Sequence, residues 1–454
     1  MPRFIAVEPK AQSMKLLKIW MPQKHRKSLD ASWKEGIPGN IMITITEFYL
    51  TPYALFLGAP HAAIGMLVAW PSLLGSFFQL FAAERVRHAK SRLQFLIKTT
   101  RLQGFLLIAA SGLCFWKGVV PIVILTLLTI LFRIVGNWIA AAWGSLMSDY
   151  LEPHDRGKYM GDRQLITGLA AMVALAVAGL FLDWVKPYSA TLGFGVLFFL
   201  TGVARLISSY LFRYMEDLPF EEKPESRFTF WMFIRRFRQS NFVRFVLFSA
   251  GITFATQISA PFFGVYMLQD LKFNYFQYIS IYFVVVFAVL AGSPFWGRVA
   301  DKAGNAHVLK LTGGLIPLVP LLWCISTNWC YLLVVQLMGG FIWGGYNLCS
   351  SNFILDSVRP EKRVRCLSYF NFINGTALFL GASLGGFLAT KLPPFHGYTM
   401  MSLFLVSGTL RLFFYALPIN RFNEVRVNVQ KVSSRELFFS VLGIQVTPTA
   451  QEQE

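Results

Sequence analysis

Residues 149–156 read DYLEPHDR and residues 356–363 read DSVRPEKR, so aspartate, proline and arginine recur at matching positions 207 residues apart. Each copy stands where one long apolar run ends and leads into another. The match continues into the glycines, because Gly168 and Gly375 are separated by the same offset. A charged hinge that is repeated together with its flanking runs indicates a chain built from two equivalent halves.

The composition is that of an integral membrane protein. Hydrophobic residues make up 55% of the 454 residues and charged residues only 14%, and the mean hydropathy is +0.51. An average soluble domain is about one quarter charged, so this chain has too few polar residues to cover a globular surface. Backbone groups in hydrocarbon must be satisfied within their own segment, so we expect the apolar runs to be helices.

We predict an all-α integral membrane protein with twelve transmembrane helices. The runs that are long enough to cross about 30 Å of hydrocarbon are residues 37–58, 62–82, 97–117, 119–148, 164–184, 189–212, 241–267, 276–297, 307–325, 329–354, 367–389 and 397–418. A mixed-charge segment forms the only long break in apolarity and divides the spans into two groups of six. The predicted organisation is a basic segment 1–36, a bundle 37–212, a central loop 213–240, a second bundle 241–418 and a tail 419–454.

The location of the basic residues predicts the orientation. The formal net charge is +19. If both termini lie on one side, that side holds 35 of the 42 Lys and Arg residues, and the opposite loops hold only four. Cytoplasmic loops carry such an excess, so both termini are expected in the cytoplasm, with the protein in the inner or plasma membrane. The same bias explains the basic excess by contact with membrane lipids, without a nucleic-acid partner.

The second half contains a loop with a known pattern. Residues 297–304 read GRVADKAG, and a glycine, an aspartate, a basic residue and a glycine at this spacing resemble the loop after the second helix of each half in the major facilitator superfamily. The first-half copy, residues 81–92, keeps the basic character but lacks both glycines and the aspartate. The resemblance covers residues 37–418 and implies two pseudo-symmetric six-helix bundles, a cavity lined by helices 1, 4, 7 and 10, and work as a monomer.

The loops on the predicted cytoplasmic side contain candidate gates. We expect a loop between packed helices to need a glycine for close packing at 297 and a permissive turn at 304, with the aspartate at 301 in an ion pair or helix-start contact. A tight turn with topogenic charges is the alternative. The candidate gate residues are Asp149, Arg156, Gly297, Asp301, Lys302, Gly304, Asp356 and Arg363.

Four ionisable residues lie well inside the predicted spans: Glu47, Arg133, Arg205 and Arg411. A charge at the bilayer centre costs roughly 2.5–3.5 kcal/mol, so each must face protein or water. Arg205 and Arg411 lie about two turns from the predicted cytoplasmic ends, and we expect their long side chains to reach the interface. Glu47 and Arg133 are near mid-span and cannot.

Polar stripes on the first, fourth, seventh and tenth predicted spans outline a substrate or proton pathway. Its predicted members are Glu47, Thr51, Arg133, Asn137, Thr253, Gln257, Gln336, Trp343, Tyr346 and Asn347. Two roles remain open for the charged pair. Glu47 carries a proton while Arg133 holds an anionic group of the substrate, or the two neutralise each other and only fix helix packing.

The sequence thus predicts a secondary transporter that moves a small organic solute by alternating access, with protons as a candidate coupled ion. The alternatives are a transporter-like receptor or assembly partner without turnover, and a lipid flippase of the same fold. An enzyme is not expected, because the hydrolase-like pattern GASLG at 381–385 lies inside an apolar helix. No cofactor or metal is expected, since no histidine falls inside a span and the cysteines lack metal-site spacing.

Overall fold

The computed structural model describes residues 21–87, 89–218, 240–358, 363–417 and 422–425. In these ranges the chain is helical, and its one β-type contact is an isolated bridge between Phe395 and Tyr398. The long helices are α1 (Arg26–Phe56), α2 (His61–Gln79), α3 (Arg92–Ser111), α4 (Val119–Tyr150), α5 (Pro153–Leu211), α6 (Asn241–Ser259), α7 (Tyr275–Ala303), α8 (Asn305–Leu315), α9 (Trp329–Ser357), α10 (Arg363–Leu388) and α11 (Thr399–Ala416). Short helices join them at Ala82–Arg87, Phe262–Val265 and Leu318–Leu322.

The prediction of an all-α membrane protein is confirmed. Nine helical stretches of the described residues are long and apolar enough to cross a membrane. α1 and α3 are not among them, because α1 contains Lys34, Glu35 and Glu47 and α3 contains Lys98 and Arg101. Among the described residues, the criteria of helix length and composition therefore give nine candidate stretches, fewer than the twelve spans predicted from the sequence.

Helix α5 contains the fifth and sixth predicted spans in one element. Its 59 residues would extend about 88 Å if straight, far more than one bilayer crossing. The backbone breaks at Ser189, whose φ and ψ are −166° and 108°. Pro187 lies just before this kink and cannot donate a helical hydrogen bond. The sequence placed the break between residues 184 and 189, in agreement with this kink.

Three helix bounds differ from the limits of the predicted runs and hinge. α1 begins at Arg26, before the predicted run that starts at residue 37, so part of the predicted basic segment is helical. α3 spans Arg92–Ser111, whereas the predicted run is 97–117. The charged hinge at 149–156 contains the start of α5 at Pro153, where proline suits the first helical turn. Most of the predicted central loop and tail lies outside the described residues.

The two chain halves contact each other between α2 and α10 and share a hydrophobic cluster at one end of the molecule. We call residues 26–218 the amino-terminal half and residues 240–425 the carboxyl-terminal half. We call the end at which α1, α3 and α6 begin the basic face, and the other end the opposite face. One hydrophobic cluster at the opposite face contains residues of both halves, among them Tyr53 and Phe262. Each of the two clusters at the basic face belongs to a single half.

Helices α2 and α10 join the halves through small residues. A Cβ atom added at Gly65 would lie 2.7 Å from the carbonyl oxygen of Ala382. A Cβ added at Gly375 would collide with the side chain of Ser76 and would lie 3.1 Å from the carbonyl oxygen of Ser72. Glycine at these positions lets the two backbones approach closely, which is the common packing mode of membrane helices.

We expect Gly65→Ala to destabilise the protein, because the new methyl group meets backbone that cannot rotate away. Gly144→Ala in α4 is the matched control, since a Cβ there has open space around it. That control should be neutral or should stabilise the helix by up to about 1 kcal/mol. Thermal unfolding of the purified variants tests this. Equal melting temperatures for the two variants would contradict the packing described for α2 and α10.

Candidate functional site

An ion pair joins α1 to α4 inside the amino-terminal half. Nη2 of Arg133 donates to Oε2 of Glu47 over 2.6 Å. The two side chains are 47% and 54% exposed, so the pair faces open space rather than packed protein. Asn137, one helical turn further along α4, donates to the carbonyl oxygen of Gly75 over 2.7 Å and so ties α4 to α2.

A cavity of about 320 Å³ surrounds this pair. Five helical segments of the amino-terminal half line it, and its apolar wall is formed by side chains such as Phe132 and Trp143. Its charged and amide lining residues are Glu35, Asn40, Glu47, Gln103, Arg133, Asn137, Arg163, Gln164 and Arg205. We call it the amino-terminal cavity.

A second group of charged residues in this cavity forms a buried network. Glu35 is 3% exposed. Its Oε1 accepts from Nη2 of Arg163 over 2.9 Å, and its Oε2 accepts from the hydroxyl of Ser208 over 3.0 Å. Arg205 donates to that same hydroxyl over 3.2 Å and to Oε1 of Gln103 over 2.7 Å. Buried charges persist when they are paired and hydrogen-bonded in this way.

The network corrects the expectation for Arg205. This residue is 5% exposed and is bound by side chains of its own half, so it does not reach the membrane interface. Sequence reasoning also missed Glu35 and Arg163, because both fell just outside the predicted spans. One signal was available: Ser32, Gly36 and Asn40 recur at four-residue spacing, which continues the polar face of α1 toward its start.

The carboxyl-terminal half has its own cavity of about 770 Å³. Its lining includes the predicted residues Thr253, Trp343, Tyr346 and Asn347. Asn374 joins α10 to α6 beside it, because its Oδ1 accepts from the hydroxyls of Thr253 and Ser249 over 2.9 and 3.1 Å. We call it the carboxyl-terminal cavity. The sequence predicted a single cavity, and Asn374 was not among its predicted residues.

Three predicted pathway residues lie outside the linings of both cavities. Thr51 and Gln257 stand beside glycines at helix contacts, opposite Gly264 and Gly381 respectively. Gln336 lies next to Gly339 on its own helix. These residues lie on helices that line the cavities. Each of them, however, lies at a height along its helix that neither cavity reaches.

Arg411 is likewise buried rather than extended to the interface. It is 2% exposed, and it donates to the hydroxyls of Ser407 over 3.2 Å and Ser259 over 3.0 Å. A third hydrogen bond reaches the carbonyl oxygen of Ile316 over 3.4 Å. Hydroxyl and carbonyl groups from three helices therefore hold this guanidinium in place.

Two of the candidate gate residues, Asp149 and Asp356, contact the first residues of neighbouring helices. Asp149 pairs with Nη2 of Arg92, the first residue of α3, over 2.7 Å. Asp356 accepts from Nδ2 of Asn305, the first residue of α8, over 2.8 Å. The two aspartates thus hold matching helix starts in the two halves. The predicted partners Arg156 and Arg363 have side chains outside the described set.

The loop between α7 and α8 agrees with its predicted role only in part. Gly304 has φ of +88°, a conformation that glycine adopts without strain. Gly297 was expected to allow close packing, but an added Cβ would meet only one atom of Leu348, at 4.0 Å. That expectation is wrong. Asp301 and Lys302 lie in the last turn of α7.

An acidic residue in each half caps a helix at the basic face. Asp217 accepts from the backbone N–H of Leu93 over 3.4 Å, and Glu424 accepts from that of Ala306 over 2.7 Å. The two acidic residues are 207 positions apart, the offset of the sequence repeat. The N–H donors belong to the second residues of α3 and α8, where a negative charge favours the helix dipole.

At the opposite face, hydrogen bonds connect the two halves. The carboxylate of Asp183 accepts from the backbone N–H groups of Tyr275 and Phe276 over 2.8 and 2.5 Å, so a residue of α5 caps the start of α7. The hydroxyl of Tyr278 donates to the carbonyl oxygen of Phe48 over 2.7 Å. Together with the shared hydrophobic cluster, these bonds close this end of the molecule.

The described cysteines are free. Cys324 is buried. Cys330 is exposed, and the two are not bonded to each other. Within the described ranges, no group of three or more His, Cys, Asp or Glu side chains is placed to hold a metal ion.

The fold and the two polar cavities define a class: a multi-pass helical membrane protein with internal sites in both halves. The family model described as Major Facilitator Superfamily matches residues 245–446. An uncharacterized MFS-type transporter, YfiU of Bacillus subtilis (strain 168), is 26% identical over 110 residues. That match spans 24% of this chain and only 21% of YfiU.

Solved structures share the fold at low sequence identity. A mutant of the nucleoside transporter NupG has a TM-score of 0.71 at 11% identity, over 87% of this chain and 100% of that one. A bacterial homolog of the human lysosomal transporter Spinster has a TM-score of 0.66 at 12% identity, over 89% and 98%. The family model matches the carboxyl-terminal half and the overall fold is shared, so the chain is similar to the major facilitator superfamily, with no subfamily identified. YfiU, NupG and the Spinster homolog are each named as a transporter or as a homolog of one.

We expect Glu35→Gln and Glu47→Gln, the same change on one helix, to differ in cost. Glu35→Gln leaves Arg163 and Arg205 without their buried counter-charge, and breaking a buried pair costs about 3–5 kcal/mol. Glu47→Gln removes half of an exposed pair and should cost at most about 1 kcal/mol. Denaturation of both variants in detergent measures the difference. Similar losses would show that the two carboxylates are equally important for stability.

Proposed function

We propose that this chain is a secondary transporter that moves a small organic solute across the membrane by alternating access. The observation that carries the proposal is the arrangement of the halves. They are joined by hydrogen bonds and a shared hydrophobic cluster at the opposite face. The clusters at the basic face each belong to one half, and polar cavities lie within the halves. A molecule built in this way can open its interior toward one side at a time.

We further propose that the chain crosses the membrane twelve times. The two arms of α5 on either side of Ser189 account for two crossings. α1 and α3 account for two more, although their composition does not mark them as spans. Both carry charged or amide residues that line the amino-terminal cavity, and a helix facing a polar cavity can keep such residues inside a membrane.

The charge distribution supports an orientation with the basic face in the cytoplasm. The segments predicted to lie at that face hold 35 of the 42 Lys and Arg residues of the chain, as expected for cytoplasmic loops. The described arrangement would then be open to the cytoplasm and closed to the outside. Two structures of similar fold, the Spinster homolog and a bacterial homologue of ferroportin, are titled as inward-facing.

The neighbouring structures do not select a substrate. They are a nucleoside transporter, a homolog of a lysosomal transporter and a homologue of an iron transporter. All are near 11–12% identical to this chain, a level that supports the fold alone. The chemistry of the solute must therefore come from the cavities of this chain.

Glu47 is the candidate proton carrier. It faces the amino-terminal cavity, and its carboxylate contacts a single guanidinium, that of Arg133. The other groups near it that carry charge or titrate are the Tyr282 phenol of α7 and, across the cavity, Glu35 with its two arginines. A carboxylate in such a place can release its proton to whichever side the cavity faces.

Removing the cap that joins the halves should open the outer gate. In Asp183→Ala, α7 keeps the capping box of Asn274 but the halves lose two hydrogen bonds, so the outward-open population should rise roughly five- to tenfold, equivalent to about 1–1.4 kcal/mol. Labelling of Asn137→Cys by an impermeant maleimide from outside, in a cysteine-free background, measures this.

Asn328→Ala is the matched control, because Asn328 caps α9 at the same face within one half. It should cost similar stability without a change in labelling. Equal labelling of both variants would count against an outer gate at Asp183.

If Glu47 carries the coupled proton, Glu47→Gln should abolish the pH dependence of solute uptake into proteoliposomes. Glutamine has the shape of the protonated carboxyl but cannot release a proton. Uptake driven by a pH gradient should fall to the level of passive exchange, while exchange itself persists. Uptake with unchanged pH dependence would assign Glu47 to packing. Saturable binding without any flux in the wild type would favour a receptor.

A further inference from the structure

We propose that the amino-terminal cavity binds a small organic anion, and that the free donors of Arg133 hold its charged group. The inference rests on the proposed function and names the substrate class of the same site. The first observation is the formal charge of the side chains that line the cavity. Three guanidiniums and two carboxylates line the cavity, so it carries one net positive charge. One bound monoanion brings this cavity to neutrality.

The three guanidiniums differ in how far their N–H donors are already used by other protein groups. Arg163 is committed to Glu35 and to the carbonyl oxygen of Ser32, and its guanidinium lies 4.5 Å from the ring centre of Trp143. Arg205 is committed to Gln103 and to a serine hydroxyl and is 5% exposed. Neither can turn toward a solute without breaking the buried network.

Arg133 is the guanidinium that remains available. In the described structure its polar contact is a single hydrogen bond, from Nη2 to Glu47, and its side chain is 47% exposed. A guanidinium has five N–H donors in a planar fork, which matches a carboxylate or phosphate with two parallel bonds. The donors that Glu47 does not use face the cavity.

The rest of the lining suits the organic part of such an anion. Phe132, Ile43 and Ile139 supply apolar surface, and Asn40 and Gln164 supply amide groups. About 320 Å³ lies at the lower end of ligand pockets, so the site fits a metabolite-sized molecule. The same chemistry could recognise the headgroup of an anionic lipid, and the experiment separates the two sources.

The carboxylate of Glu47 also affects how tightly the anion binds. Its carboxylate lies 2.6 Å from the guanidinium that the anion approaches, so it repels the anion and occupies part of the fork. It therefore limits affinity. A pair that served packing alone would give no such effect on ligand binding.

The test uses the full-length protein in phosphatidylcholine nanodiscs at fixed neutral pH. Benzoate, lactate and inorganic phosphate are titrated, with benzamide and lactamide as neutral isosteres, and binding is followed by the shift in melting temperature. We expect at least one anion to bind and its neutral isostere not to bind. Arg133→Gln should weaken the binding of that anion at least tenfold, and Arg133→Lys should weaken it less. Glu47→Gln should tighten it by about tenfold, as removal of one repelling charge would.

Arg298→Gln is the control for the loss of one cationic side chain. Arg298 is exposed on α7, and its described contact is with the carbonyl oxygen of Pro294 on its own helix. The affinity of the Arg298→Gln variant for the anion should equal that of the wild type. A Glu47→Gln variant that binds the anion no more tightly than the wild type would overturn the proposal.

Two further outcomes are informative. If no anion binds but the outside labelling still responds to Asp183→Ala, the solute is not an anion and alternating access stands. If neither occurs, the proposed function fails as well. Stabilisation that depends on Arg133 and appears with phosphatidylglycerol, but with none of the soluble anions, would replace the free solute by a lipid headgroup and overturn the inference.

Discussion

Glu35 carries a charge that little water can screen, and the amino-terminal half is organised around its neutralisation. Removing a carboxylate from water costs several kcal/mol unless close partners replace the lost hydration. The partners come from both arms of α5, with Gln103 of α3 supporting Arg205. Satisfying one carboxylate therefore fixes α1, α3 and α5 relative to each other. The Glu47–Arg133 pair needs no such support, because it opens onto a cavity and can exchange partners.

The two halves form equivalent contacts between helix ends with different residues. In each half an aspartate at the end of the fourth long helix holds the first residue of the third, Arg92 in one half and Asn305 in the other. An acidic residue after the last helix of each half caps that same element. The first-half loop lost the glycines and aspartate of the family pattern, yet Arg92 supplies an ion pair there. Erosion of a motif therefore did not remove the contact between helix ends.

Much of the fold was predictable from local patterns, and much of the site was not. Apolar runs and the repeat located the helices, and the gap between the runs 164–184 and 189–212 located the bend of α5. The start of α1 was missed because its first turns are charged, and hydropathy cannot distinguish a helix that faces protein from a surface segment. Arg205 was assigned to the interface by its distance from a helix end. Its actual position depends on the hydroxyl and amide groups of helices that are far away in sequence.

The sequence by itself determined the class of the protein. Hydrophobicity, the 207-residue repeat and the charge bias follow from residue types and spacing, and the need to satisfy backbone groups in lipid leaves helices as the outcome. Only the tertiary structure decided which charges meet. Helical spacing gives the face of a residue but neither its depth nor its partner across the bundle. The division into a closed network at Glu35 and an open pair at Glu47 arises from packing between helices, where a shift of one turn exchanges a buried partner for an exposed one.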